Sequence, residues 1–136
     1  MENIIIKKVV IIGSGVMGSR IACYLSDVGL SVFLLDIIGN DKNRNSIVNS
    51  NLSKTIKSRP EPLLDKSNVH NITTGNIIDD INKIKDSDWI IEAVSEKENI
   101  KKEVLDIIEK NKKKESIVST NTSGLSINNL VKGRSK

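Results

Sequence analysis

Three glycines near the start of the chain stand at a spacing that could hold a phosphate group. They occur within the G-x-G-x-x-G pattern Gly13-Ser14-Gly15-Val16-Met17-Gly18. In such a pattern Gly13 permits a tight turn, Gly15 lets the backbone approach a pyrophosphate, and Gly18 lets the following helix pack closely. N–H groups at the start of that helix would face the phosphates. The pattern alone is weak evidence, because a tight strand-to-helix turn without a ligand could also contain it.

An acidic residue follows the glycines at the distance expected of a dinucleotide site. Asp36 lies 18 residues after Gly18 (36 − 18 = 18) and ends an apolar run. A carboxylate there can accept hydrogen bonds from the adenosine ribose and would repel a 2′-phosphate, so Asp36 and its neighbour Ile37 are predicted to bind NAD rather than NADP. Two alternatives stay open: Asp36 could face water, and a folded loop could bring Arg44 close.

The elements that must position these residues alternate between strand and helix. A β-branched run at 8–12, helical spacing over 16–28 with Gly29 as the helix end, and an apolar run at 32–35 predict a right-handed βαβ unit. Helices are predicted over 47–57, 79–84, 101–110 and 126–131, the last with Ser126 as N-cap, and strands over 71–74, 89–94 and 116–120. We therefore expect an α/β fold of the Rossmann type, doubly wound, with a mostly parallel sheet and helices on both faces.

Composition excludes several other classes. The 136 residues suit one domain, 1–136, and the hydrophobic fraction of 38% with a charged fraction of 28% is that of an ordinary globular protein. No apolar run reaches the ~18 residues of a membrane span. The net charge is +4, but aromatic residues make up only 2%, which argues against base stacking. The single cysteine, Cys23, excludes an intrachain disulfide or a cysteine-cluster zinc site. We expect a cytoplasmic protein with no membrane, nucleic-acid or metal partner.

Two further constellations narrow the family. They are 88–96 (DWIIEAVSE) with 101–103 (KKE), and 119–127 (STNTSGLSI). With the glycine pattern, they resemble the NAD-binding domain of 3-hydroxyacyl-CoA dehydrogenases. The segments 60–63 (PEPL) and 72–76 (ITTGN) are most similar to the long bacterial fatty-acid-oxidation members. The resemblance covers essentially the whole chain.

The resemblance implies roles for residues in the second half of the chain. Ala93 and Val94 would line the nicotinamide-ribose side of the cofactor, and Glu96 and Lys101 would contact its nicotinamide half. Ligands of doubly wound sheets do bind beyond the carboxyl ends of strands. An alternative stays open in which Glu96 and Lys101 are a pair of surface residues at a helix start.

Further positions would serve the substrate. By resemblance, Asn121 lies near the nicotinamide and Ser123 near the substrate hydroxyl, although an Asn-Thr-Ser run after a strand is by itself typical of a turn. The resemblance also implies coenzyme A contacts on the helix after the second strand, where Lys54 and Lys57 are the candidates.

The resemblance also implies what the chain lacks. The family uses a histidine as general base, oriented by a glutamate, and the motif that carries it would follow Lys136. The single histidine, His70, is predicted to be structural or on the surface. A helical C-terminal domain that forms the dimer and much of the acyl-CoA site would also be missing. We therefore expect a fragment that binds NAD and turns over little or no substrate.

The glycine pattern and the resemblance lead to one main expectation and two rivals. The main one is the NAD-binding domain of an enzyme that transfers hydride between (S)-3-hydroxyacyl-CoA and NAD in fatty-acid β-oxidation. One rival is another NAD-dependent hydroxyacid dehydrogenase, which the 92–96 block and Asn121-Thr122-Ser123 disfavour. The other is a regulatory module that binds NAD without catalysis.

Overall fold

A five-stranded sheet forms the centre of the computed structural model, which describes residues 3–134. Its strands are β1 (Lys8–Ile12), β2 (Ser31–Asp36), β3 (Ile72–Asn76), β4 (Trp89–Glu92) and β5 (Ile117–Thr120). Its α-helices are α1 (Val16–Asp27), α2 (Ser46–Ile56), α3 (Asn82–Lys85), α4 (Glu98–Asn111) and α5 (Ile127–Val131), and a 3-10 helix spans Lys66–Asn71. The strand order is β3-β2-β1-β4-β5, and all four pairings are parallel. The predicted Rossmann-type α/β fold is confirmed.

The strand order creates the crevice that a ligand can enter. The chain moves outward from β1 through β2 to β3 and then returns to the other side of β1 with β4. Loops that leave β1 and β4 therefore diverge toward opposite faces of the sheet, and doubly wound sheets bind ligands at this switch point. Because every strand is parallel, all the carboxyl ends meet at one edge.

Helices cover both faces of the sheet, and β1 is apolar at successive positions for that reason. Val9 and Ile11 pack on one side with Ala22 of α1, whereas Val10 and Ile12 pack on the other with Leu105 of α4. All these side chains are buried. The alternation is the period-two geometry of a strand whose two faces are both in the core.

Some element boundaries differ from prediction. Gly29 has a φ of 88°, as expected of the glycine that ends α1. Helix α4 starts at Glu98, three residues before the predicted start, because Lys97 is still extended. Helix α3 is a single turn that overlaps the second half of its predicted range, 79–84. Ser126 occupies the N-cap position of α5, as predicted, although its side chain makes no capping hydrogen bond.

One aspartate joins three segments at the amino edge of the sheet. Asp88 Oδ2 accepts hydrogen bonds from the backbone N–H groups of Lys7 at 2.9 Å and Lys8 at 3.0 Å. Its Oδ1 accepts one from Lys113 Nζ at 2.7 Å. The Lys113 ammonium, followed by the two N–H groups, lowers the pKa of Asp88 from 3.8 to about 2. The starts of β1 and β4 are thereby tied to the segment before β5, on the edge opposite the carboxyl ends.

One cysteine and one tryptophan contribute to the packing of the core. Cys23 is fully buried and its thiol is free, as predicted. Burial is the main cause that raises the pKa of this thiol. Trp89 packs against the core while its indole Nε1 donates a hydrogen bond to Ser119 Oγ at 2.9 Å.

Among residues 3–134, none of the helices has the length and hydropathy required to cross a bilayer.

Candidate functional site

The carboxyl edge of the sheet opens into a cleft of about 850 Å³. Twelve of the residues singled out in the sequence line it: Gly13, Ser14, Gly15, Val16, Met17, Asp36, Ile37, Ala93, Val94, Glu96, Asn121 and Ser123. Two more, Gly18 and Lys101, are buried and do not line it. The fold thus brings together residues that are up to 110 positions apart in the chain (123 − 13 = 110).

The three glycines of the turn meet different surroundings. Gly13 has a φ of 107°, and a Cβ there would lie 2.5 Å from the Ala93 carbonyl oxygen. A Cβ on Gly18 would lie 1.8 Å from the Gly13 carbonyl oxygen. These two glycines therefore serve close packing. At Gly15 a Cβ would meet nothing within 4 Å, so it would project into the open cleft.

Gly15 therefore provides the test of whether a pyrophosphate fits. It precedes Val16, the first residue of α1, and no side chain caps that helix. The unpaired N–H groups of the first turn and the missing Cβ together leave a cradle of the size and polarity that an anion requires. The residues fit the diphosphate of a dinucleotide.

Asp36 lies at the cleft wall with both carboxylate oxygens engaged. Its Oδ2 accepts hydrogen bonds from the N–H of Ser14 at 2.7 Å and from the Ser14 hydroxyl. Its Oδ1 accepts one from the N–H of Ile37 at 2.7 Å. The fixed carboxylate faces the cleft beside the glycine turn, where an adenosine ribose would lie in a dinucleotide site. That contact with ribose stays a prediction.

Asn51 is a cleft residue that the sequence did not identify as part of the site. Its side-chain amide on α2 donates a hydrogen bond to Ser14 Oγ at 3.0 Å. No sequence signal marks it, because the register of α2 against the glycine turn depends on the path of the irregular loop that precedes the helix.

Arg44, the cation that could have accommodated a 2′-phosphate, is bound elsewhere. Its guanidinium donates to both carboxylate oxygens of Asp79, at 2.7 and 2.8 Å. Arg44, followed by the Asn76 amide, lowers the pKa of Asp79 to about 2. Arg44 does not line the cleft. The pairing therefore agrees with a preference for NAD.

Lys101 lies in the interior and not at the surface of the cleft. Both it and Glu92 are 0% exposed, and Lys101 Nζ lies 2.8 Å from Glu92 Oε1. The ammonium also donates to the carbonyl oxygens of Val94 and Asn121, each at 3.2 Å. The alternative that Lys101 belongs to a surface pair is wrong, because its long stem places the charge beneath the ends of β4 and β5. Direct contact with the cofactor stays a prediction.

The sequence does not identify Glu92 as a functional residue, because it lies within the apolar run that predicts β4. Besides Lys101, its carboxylate accepts hydrogen bonds from the N–H of Val94 at 2.8 Å and from the Thr120 hydroxyl. Its position, nine residues before a lysine on the next helix (101 − 92 = 9), was the available signal. Glu92 and Lys101 together connect the two strand ends that carry Val94 and Asn121.

Glu96 connects the end of β4 to the loop after β5. Its Oε2 accepts hydrogen bonds from the Thr122 hydroxyl at 2.9 Å and the Gly124 N–H at 3.3 Å, and its Oε1 lies 3.4 Å from Lys101 Nζ. The Thr122 hydrogen bond is the main cause that lowers the pKa of Glu96. Ser123 lies between the two bonded residues, so Glu96 fixes the loop segment that faces the cleft.

Several other candidates lie away from the cleft. Lys54 and Lys57 are exposed on α2 and its C-terminal end, and neither lines the cleft, so nothing in its geometry supports them as coenzyme A contacts. His70 is exposed in the 3-10 helix, as predicted for a residue without a catalytic role. Within the part of the chain that the structure describes, no three His, Cys, Asp or Glu side chains are grouped to bind a metal.

Comparison with known sequences agrees with this site. Residues 8–136 match the family described as 3-hydroxyacyl-CoA dehydrogenase, NAD binding domain. A probable 3-hydroxyacyl-CoA dehydrogenase of Bacillus subtilis is 42% identical, with 96% of this chain aligned to 18% of its own length. One of Deinococcus radiodurans is 40% identical, over 96% of this chain and 38% of its length. A putative fatty acid oxidation complex trifunctional enzyme of Rickettsia felis is 40% identical, over 92% and 18%. The chain thus spans less than half of each of these relatives.

Comparison with solved structures agrees with this match. (S)-3-hydroxybutyryl-CoA dehydrogenase of Ralstonia eutropha superposes with a TM-score of 0.70 at 29% identity, over 93% of this chain and 44% of that one. A diketoreductase superposes with a TM-score of 0.74 at 25% identity, over 96% and 46%. With the glycine cradle, the fixed aspartate and the sequence match over 8–136, this chain belongs to the NAD-binding domain family of 3-hydroxyacyl-CoA dehydrogenases.

Proposed function

We propose that the chain is the cofactor-binding part of an enzyme that transfers hydride between (S)-3-hydroxyacyl-CoA and NAD, giving 3-oxoacyl-CoA in fatty-acid β-oxidation. One observation carries the proposal: the turn is tightly packed at Gly13 and Gly18 but open at Gly15, with the Asp36 carboxylate fixed beside it. A turn that served packing alone would have no need of a glycine whose Cβ meets nothing. Space at this point supports the close approach of a diphosphate to the backbone.

The residues of the cleft would divide the cofactor between them. The glycine turn and the start of α1 would hold the diphosphate, and Asp36 would accept hydrogen bonds from the adenosine ribose. Ala93 and Val94, at the end of β4, would face the nicotinamide side, which Glu96 would bound. NAD, when bound, supplies the hydride acceptor. Within the chain, Asn121 and Ser123 are the polar groups placed to orient a substrate oxygen.

The substrate class is drawn from the relatives. Their names specify 3-hydroxyacyl-CoA dehydrogenase and, for one, a fatty acid oxidation complex. A polar pair at the nicotinamide end of the cleft, Asn121 and Ser123, suits the hydroxyl or keto oxygen of such a substrate. We place the general base, the rest of the acyl-CoA site and the dimer contacts in regions that correspond to the unaligned parts of the longer relatives.

A cytoplasmic location is in keeping with the free, buried thiol of Cys23.

Two measurements test the proposal. Calorimetric titration of the 136-residue chain with NAD, NADP and coenzyme A should give binding of NAD, weaker binding of NADP, and little binding of coenzyme A. Reduction of acetoacetyl-CoA by NADH should be very slow with this chain and rapid with a longer gene product that contains it. Absence of NAD binding by a folded chain would exclude the cofactor site, and a longer product that binds NAD but reduces no 3-oxoacyl-CoA would exclude the substrate class.

A further inference from the structure

We propose that Ser14 and Asn51 are positioning residues that hold the Asp36 carboxylate in the orientation that separates NAD from NADP. The inference rests on the proposed binding of NAD and adds to it the residues that set nucleotide preference. It gives Ser14, the residue between Gly13 and Gly15, a role that the glycines cannot supply. It also adds Asn51 of α2 to the site.

The first step is the contact between Ser14 and Asp36. Ser14 is 0% exposed although it lies in a turn that borders an open cleft. Its N–H and its hydroxyl both donate to the same carboxylate oxygen, Asp36 Oδ2. With the Ile37 N–H on Oδ1, the carboxylate has three donors that fix its rotation. Only the Ser14 hydroxyl among them comes from a side chain, so only that donor depends on residue type.

The second step is the contact between Asn51 and Ser14. A serine hydroxyl has one proton to donate and can accept from other donors. The Asn51 amide donates to Ser14 Oγ at 3.0 Å, which occupies an acceptor position and leaves the hydroxyl proton for Asp36. The order of the bonds is therefore Asn51 to Ser14 to Asp36. Each donor in such a chain polarises the next.

The consequence concerns the 2′ position of the adenosine ribose. A carboxylate fixed by three donors cannot turn aside, so an incoming 2′-phosphate would meet a stationary negative charge. Arg44, the first arginine after Asp36 in the chain, donates to both carboxylate oxygens of Asp79 and does not line the cleft. A ribose hydroxyl, in contrast, would find in Asp36 Oδ1 an acceptor that is already oriented. Preorganised acceptors favour the ligand that matches them.

The test measures the ratio of the dissociation constants for NADP and NAD. We expect Ser14→Ala to lower this ratio by about tenfold, the size expected when one hydrogen bond to a charged group is lost. Asn51→Ala should lower it less, and in the Ser14→Ala background it should have no added effect, because the two residues act in series. Asn51→Ala also serves if Ser14→Ala does not fold, since Asn51 is only half-buried.

Ser19→Ala is the matched control. Ser19 is as buried as Ser14 and lies in the first turn of α1, next to the glycine turn, but its hydroxyl donates to the Ser14 carbonyl oxygen at 2.6 Å. Its removal should change the melting temperature and leave the ratio unchanged. The inference would be overturned if the ratio fell equally for Ser14→Ala and Ser19→Ala. It would also be overturned if Ser14→Ala and Asn51→Ala both folded and neither lowered the ratio. Failure of the unaltered chain to bind NAD would instead overturn the proposed function.

Discussion

Lys101 Nζ lies 2.8 Å from Glu92 Oε1, and neither side chain is exposed to solvent. A buried pair of this kind is costly to desolvate, but removal of one member leaves the other charged in the interior. Since Val94 and Asn121 both accept from Lys101, the pair also sets the spacing of two cleft-lining segments.

Loss of that ammonium should therefore destabilise the fold. We expect Lys101→Met to lower the free energy of unfolding by about 3–5 kcal/mol, because the Glu92 carboxylate would stay buried without its cation. Urea denaturation measures this change. The control is Lys102→Met, since Lys102 pairs with Glu98 on the exposed side of α4 and should contribute less than about 0.5 kcal/mol. Similar losses for the two variants would show that burial of the pair has no special weight.

Two glycine substitutions should separate folding from binding. Gly15→Ala should leave the free energy of unfolding within about 1 kcal/mol of the parent, because its Cβ meets nothing, yet weaken NAD binding by about tenfold or more. Gly18→Ala should cost about 3 kcal/mol of stability, because its Cβ would overlap the Gly13 carbonyl. Thermal melts and NAD titration of each variant provide the measurement. An alanine at position 15 that binds NAD normally would contradict the cradle.

Asp88 should make stability depend on acid. Its pKa in the folded chain is about 2, below the usual 3.8, so the ionised form is the one that folding favours. The stability it contributes is fully present above about pH 4 and is lost as the pH falls through about 2. Asp88→Asn should therefore melt several degrees lower at neutral pH, with a difference that shrinks toward pH 2. Asp86→Asn removes the same charge nearby from an exposed position and should show no such trend.

Glu96 should affect the site more than the fold. We expect Glu96→Ala to weaken NAD binding by about tenfold with little change in melting temperature, because the carboxylate is partly exposed but fixes the loop through Thr122 and Gly124. Glu98→Ala is the control, since Glu98 pairs with Lys102 on the helix surface. If both variants bind NAD as the parent does, Glu96 is not required to order the loop.

Cys23 should be unreactive while the chain is folded. The thiol is fully buried and burial raises its pKa, so little thiolate is accessible at neutral pH. Modification by Ellman's reagent should be slow in buffer and fast in denaturant. A native reaction as fast as that of the unfolded chain would contradict the burial.

The local features of the sequence predicted the framework well. Strand β1 has the predicted bounds, and Asp36 ends β2 as expected, because apolar runs between turn residues report on local burial. Gly29 was identified as the end of α1 for a similar reason, since a positive φ is a requirement of one residue alone. Features of this kind depend on neighbours in the chain.

The long-range contacts were not predictable in the same way. Asn51 on α2 meets Ser14 in the glycine turn across 37 positions, and no periodicity in α2 encodes that meeting. Lys101 was placed near the cofactor by resemblance, but its burial follows from how α4 packs beneath the strand ends. In the sequence, Asp88 is an ordinary polar residue before a strand. Only the assembled sheet brings Lys7 and Lys113 to it.

The Asp88 junction lies on the opposite side of the sheet from the cleft, and this separation has an engineering consequence. Neither Lys113 nor Asp88 lines the cleft, so side chains around them could be exchanged to change the melting temperature without altering a cleft residue. A library of variants confined to the amino edge of the sheet could be selected for stability first, and the cleft residues could then be varied for nucleotide specificity.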